Sequence, residues 1–167
     1  MKKIFVIFFI CIYFISFAQR NVTDRVKPVY EGNESTHFSI YDACPESPDG
    51  KYICFVKYLE IVYGGYDKPL TSAEIMIQER QTKINTKISD VKCNNHNGAN
   101  AIWVNNTTVA YMVDGLLNFE VYDLEKKKSL YGLIHGELGH KSFHNKIFFS
   151  RCNNRQKIYD TTHYKFP

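Results

Sequence analysis

The pattern of apolar and polar positions divides the chain into three parts. An unbroken apolar run from Ile4 to Ile15 follows Lys2 and Lys3 and gives way to Ser16-Phe17-Ala18. Residues 19–36 are polar, include Pro28 and Gly32, and hold at best one short strand, Val26 to Tyr30. From His37 onward, short apolar alternations are separated by clusters of Asp, Asn, Gly, Pro and Ser, and no segment keeps an apolar helical period over three turns. Alternation bounded by turn residues predicts strands. Residues 37–167 are therefore expected to be all-β, with 19–36 a linker or peripheral strand.

The predicted strands repeat. Ser47-Pro48-Asp49-Gly50-Lys51-Tyr52-Ile53 aligns with Trp103-Val104-Asn105-Asn106-Thr107-Thr108-Val109 and with Ser142-Phe143-His144-Asn145-Lys146-Ile147, each a polar turn leading into a strand that opens on a β-branched residue. A second element follows each, centred on Ile77 in AEIMIQER, Val121 in NFEVYDL and Ile158 in QKIYDT. Spacings are 56 and 38 residues for the first element and 44 and 37 for the second. Repeats of about 40 to 45 residues carrying several strands are the period of propeller blades. The long first interval contains an insertion, Tyr58 to Thr71, where the second repeat has only Asp114 to Leu117. Such an insertion is tolerated because loop-closure entropy grows slowly with length.

The first turn has a clear chemical basis. Pro48 presets φ, Asp49 accepts a local backbone bond and Gly50 supplies a positive φ. A loop of Pro48, Asp49 and Gly50 pairs Ser47 with Lys51 and sets Cys44 opposite Cys54. Directly opposed residues lie within disulfide reach. The two cysteines are thus expected close together, either bridged or as two small buried thiols.

SPDGKYICFV resembles the blade-opening turn of the TolB-like, WD-repeat-related β-propellers, with IMIQER, FEVYDL and KIYDTT in the place of the family's later strand. The resemblance covers residues 37–167 and weakens from the first repeat to the third. The second repeat keeps turn chemistry at Asn105-Asn106 but has lost Pro and Gly. It implies radially arranged four-stranded sheets: an incomplete β-propeller of about three antiparallel meander blades, the last lacking its outer strand. Propellers close with about four to eight blades. The resemblance therefore also implies either a truncated fragment of a longer protein, or self-association or a second chain to cover open blade edges.

Composition refines the picture. The N-terminal run, flanked by lysines and ending on small residues, reads as a signal peptide, residues 1–18, and implies export to a periplasmic or extracellular compartment. The run is shorter than the ~20 residues of a spanning helix. Cys11 lacks the small residues of a lipoprotein site, so no membrane anchor is expected. Of 21 basic residues, 19 remain after Lys2 and Lys3 leave, against 17 acidic ones, and this near neutrality argues against nucleic acid. Lys126-Lys127-Lys128 reads as a solvated turn. The core is aromatic, with 12 Tyr and 12 Phe against one Trp, and Trp103 is expected within it. Cys44, Cys54, Cys93 and Cys152 remain after processing, without a Cys-x-x-Cys pair for zinc.

Candidate chemistry is sparse. His37, His96, and His135 with His140 precede the first strands of the three repeats, where a propeller's loops gather, and His144 follows closely. Together they could face a channel mouth as ligands for a metal or donors to an anionic sugar; as isolated residues they are ordinary loop histidines. Tyr58, Tyr63 and Tyr66 around Gly64-Gly65 suit stacking on sugars or a partner, or roof the sheet. Asp49, Asp114, Asp123 and Asp160 fall in turns or at equivalent repeat positions, where structure accounts for them. There is no G-x-S-x-G, nucleophile triad or phosphate loop. The expected function is an exported binding module for a protein or an oligosaccharide, with no cofactor. The alternatives are part of an oligogalacturonate-type propeller lyase, which needs a divalent metal at a histidine face, and the propeller part of an exported peptidase.

Overall fold

The computed structural model describes residues 28–38, 43–60, 70–94, 96–115, 117–143, 146–152 and 159–165, with the backbone alone for 140–143, 148–152 and 159–165. The leader at 1–18, residues 19–27, Tyr63 and Tyr66 lie outside the described residues. The chain divides into two units, Met1–Gly32 and Asn33–Pro167. In the first, residues 28–32 carry no strand.

The second unit is all-β, with no helix among the described residues. Three antiparallel sheets follow one another along the chain, and none closes on itself. The first contains β1 (Thr36–His37), β2 (Tyr52–Tyr58), β3 (Thr71–Glu79) and β4 (Asn85–Cys93), in that order. The second contains β5 (Ile102–Trp103), β6 (Thr108–Met112), β7 (Asn118–Asp123) and β8 (Lys128–Ser129). Its β9 (Ile134–His135) pairs with the start of β7 and β8 with the end, so the two act as one interrupted edge strand. The third sheet contains β10 (Glu137–Phe143), β11 (Lys146–Cys152) and β12 (Tyr159–Lys165).

The sequence repeats fall on corresponding strands. Ile53 pairs with Gln78 and Val109 with Tyr122, so Ile77 and Val121 hold the same place relative to the preceding strand. The third repeat departs from this. Ile147 pairs with Tyr164, which puts His163 rather than Ile158 at the corresponding position. A longer connection after β11 moves the strand along the chain, and Ile158 lies outside the described residues.

Period-two alternation explains the packing. Every residue of β6 is buried. Val109 and Tyr111 join a core with Val56, Ile75, Ile77 and Val91 of the first sheet. Ala110 and Met112, with Phe119 and Val121, join a separate core with Leu138 and Ile147 of the third. Successive side chains of a strand point to opposite faces, so the second sheet lies between the other two. Each fully buried aliphatic or aromatic side chain contributes about 1.5 to 3 kcal/mol. Trp103 belongs to the first core, where it stacks on Tyr52 with ring centroids 6.3 Å apart. Its indole N–H donates to the Pro45 carbonyl at 2.8 Å, which satisfies the polar edge of a buried ring. The second core is tied by the Asn100 amide, which donates to the Leu138 carbonyl at 2.8 Å.

The opening turn is one residue longer than its composition suggests. The Ser47 N–H donates to the Tyr52 carbonyl at 2.9 Å, and the Gly50 N–H to the Ser47 carbonyl at 2.8 Å. Ser47 therefore faces Tyr52, across a loop of Pro48 to Lys51. Side chains account for the extra residue. The Asp49 carboxylate accepts from the Ser47 hydroxyl at 2.7 Å and the Lys51 N–H at 3.1 Å, while the Ser47 hydroxyl accepts from the Tyr52 N–H at 3.0 Å. These bonds, the Ser47 hydroxyl first, hold the Asp49 carboxyl below its usual range. The longer loop moves the register, and Cys54 donates its N–H to Pro45 instead of facing Cys44. Cys44 is exposed, Cys54 is buried, and both are unbridged. In the second repeat Asn105 does the work of Asp49, its side-chain oxygen accepting from the N–H groups of Thr107 at 2.9 Å and Thr108 at 2.8 Å. Asp123 caps the β7–β8 turn in the same way through Glu125 and Lys126, and the lysine triplet lies there in solvent.

Gly50 has φ of 71°, and a Cβ at this position meets nothing nearer than 3.7 Å. Replacing it with Ala strains only the backbone, so Gly50→Ala is expected to cost about 1 to 2 kcal/mol, read by chemical denaturation. An unchanged midpoint contradicts this account of the turn.

Candidate functional site

β2, β4 and β6 all end, and β3 and β7 begin, at the end of the sheets opposite the opening turn. This loop end carries Leu59, Glu60 and Leu70, residues 94 and 96–101, residues 113–115 and 117, and the stretch around β9. His37 is in β1, paired with Val56 near the end of β2. His96 is in the loop after β4, and His135 is in β9, paired with Asn118. Three of the four candidate histidines thus lie at one end. His140 is placed by its backbone alone, where the β10–β11 register shifts between Leu138 and Ser142.

His37 and His96 come together. The His37 ring packs against Gly98, where a Cβ would lie 3.1 Å from Nδ1, and that nitrogen is buried without a hydrogen-bond partner among the described residues. Burial first, and the neighbouring His96 second, push the His37 pKa below 6.5. The loop beside it is a side-chain-capped turn: Asn94 Oδ1 accepts from the N–H groups of His96 at 3.1 Å and Asn97 at 2.8 Å. Tyr58 belongs to the packed core, and its hydroxyl anchors this loop by donating to the Asn94 carbonyl at 2.9 Å.

His135 belongs to a different arrangement. The Asn118 amide donates to Asp114 Oδ2 at 2.5 Å, and the Asn118 N–H donates to Asp114 Oδ1 at 2.8 Å. A carboxylate only accepts, so the carboxamide orientation is set and its oxygen faces His135 Nδ1 at 3.1 Å. Nδ1 therefore carries the proton, and in the neutral ring Nε2 presents its lone pair. Asp114 was legible only as a turn residue and Asn118 only as the start of a strand; the DGLLN spacing is the signal for their pairing.

Between the first sheet and the Val113–Asp114 turn lies an open cavity of about 410 Å³. Its walls are Leu59, Ala73, Val91 and Val113. Ser72, Asp90, Lys92 and Asp114 add polar groups. Backbone bonds fix this junction: the Lys92 N–H donates to the Val113 carbonyl at 2.7 Å, and the Gly115 N–H to the Lys92 carbonyl at 2.8 Å. Asp90 is paired with Lys87 at 3.1 Å, and Lys87 also reaches Glu74, which Lys57 holds at 2.6 Å. Exposed leucines surround this end: Leu59, Leu70, Leu117 and Leu133.

The two buried thiols, Cys54 and Cys93, are chemically quiet. Burial pushes Cys54 up to about 12 and Cys93 up to about 11, so both remain protonated near neutrality. Among the described residues, no three of His, Cys, Asp and Glu gather as metal ligands. Comparisons with protein-family models, with curated proteins and with solved structures found no match.

The His37 environment has a consequence for acid stability. The folded pKa lies below 6.5, so between that value and 6.5 the unfolded chain binds the proton more readily, and stability falls as pH drops through this window. His37→Gln is expected to show a smaller drop in Tm from pH 7.5 to 5 than the parent chain. An identical drop in the two proteins removes His37 from the account.

Proposed function

We propose that this chain is an exported, non-enzymatic interaction module built from propeller-type blades, with the loop end of its sheets as the binding end. The observation that carries this reading is the stack. Three antiparallel meander sheets pack face to face in chain order, and in the first two the corresponding strands hold corresponding repeat positions. Export rests on the leader, Met1 to Ala18. A protein partner is favoured over an oligosaccharide because four of the exposed apolar groups described at this end are leucines, with Phe38 beside His37 the aromatic among them. Sugar recognition uses flat aromatic faces, and surface apolar patches mark protein contacts.

The two faces of the first sheet differ. Its core face packs on the second sheet, and its opposite face bears Ile53, Phe55 and Met76, which are also buried. The same face also carries Gln78 and the Lys57–Glu74 ion pair. The lyase reading draws on His37, His96 and His135 lying at one end and needs a divalent metal there; the peptidase reading draws on no described residue.

Sedimentation velocity of the exported chain tests the proposal. Concentration-dependent self-association, or a stable complex with a second protein, is expected at micromolar concentration. A compact monomer that stays monomeric at high concentration and binds no protein contradicts it.

A further inference from the structure

The cavity between the first sheet and the Val113–Asp114 turn has a charge arrangement that its surroundings leave unfinished. Its floor is aliphatic, from Leu59, Ala73, Val91 and Val113. Of its charged groups, Asp90 is neutralised by Lys87. Lys92 and Asp114 are not: among the described residues neither forms an ion pair, with the other or with any third group, although their backbones are bridged. Among the described residues, Asp114 accepts from the amide groups of Asn118, which orient it without cancelling its charge. The site thus offers one fixed carboxylate, one lysine ammonium and an apolar floor.

We infer that this cavity takes a free α-amino acid with an apolar side chain, its ammonium toward Asp114, its carboxylate toward Lys92 and its side chain on the aliphatic floor. A ligand with one charge leaves the other group uncompensated, and an uncharged apolar ligand leaves both. Size agrees: 410 Å³ is at the small end of the range of about 300 to 1,000 Å³ for ligand pockets. Ser72 adds a hydroxyl that serves either charged group of the ligand. This small-ligand site goes beyond the interaction role: it shares Leu59 with the exposed leucines of that end but stands on its own charged groups, Lys92 and Asp114.

Calorimetric titration of the full chain, expressed with its leader and recovered after export, tests the inference. The probes are L-leucine, N-acetyl-L-leucine and L-leucinamide. Leucine is expected to bind, and each derivative to bind at least about tenfold more weakly, the loss of one charged hydrogen bond. Lys92→Met keeps an exposed stem and removes the ammonium, and is expected to erase the difference between leucine and leucinamide. Asp114→Asn is expected to erase the difference between leucine and N-acetyl-leucine. Because Asp114 also orders its hairpin, the ligand series and Lys92→Met stand without that variant. Absence of leucine binding overturns the inference. So does leucinamide binding as well as leucine, which points to a peptide N-terminus, or N-acetyl-leucine doing so, which points to a C-terminus. Sedimentation of the same samples reports separately on the interaction role, so either reading can fail alone.

Discussion

The structure depends on burying β6 on both sides. Five consecutive residues, Thr108 to Met112, leave solvent, and their side chains alternate between two separate cores. A strand of that kind cannot stand at the face of a two-layer sandwich with one side wet. It requires a sheet on each side, and the chain supplies them from the segments immediately before and after. Short meander connections then follow from the requirement that sequential strands pair with each other. The loop end, with its cavity and exposed leucines, is what remains where these connections meet.

Turn chemistry was the most legible level. Asp49, Asn105 and Asp123 each accept backbone N–H groups two or three residues on, as their residue types and positions foretell. These caps explain how the second repeat keeps its turn after losing Pro and Gly. The register of the first hairpin was less legible because the Ser47 and Asp49 side chains take over backbone pairing, which no count of loop residues reveals. That one-residue difference separates Cys44 from Cys54. In the third repeat the short KIYDTT similarity pointed to Ile158, whereas ladder pairing with β11 selects the stretch from Tyr159.

The candidate site was legible in part. Histidines placed before the first strand of each repeat come to one end because every repeat runs in the same direction, so His37, His96 and His135 share that end. Their chemistry is set by neighbours distant in sequence. Gly98 and His96 shape the surroundings of His37, and Asp114 acts on His135 through Asn118. The cavity was not legible at all. It needs the bridge between Lys92 and Asp114, a contact between β4 and a hairpin of the next sheet, which sequence spacing does not announce.

Hydrogen exchange followed residue by residue tests the central claim, that the second sheet is packed between the other two. If it is, the amides of Ala110 and Met112 exchange among the slowest in the chain, at rates set by global unfolding, while those of the two-residue strand β1 exchange much faster. Comparable exchange of β6 and β1 would contradict the stack and the reading of the molecule built on it.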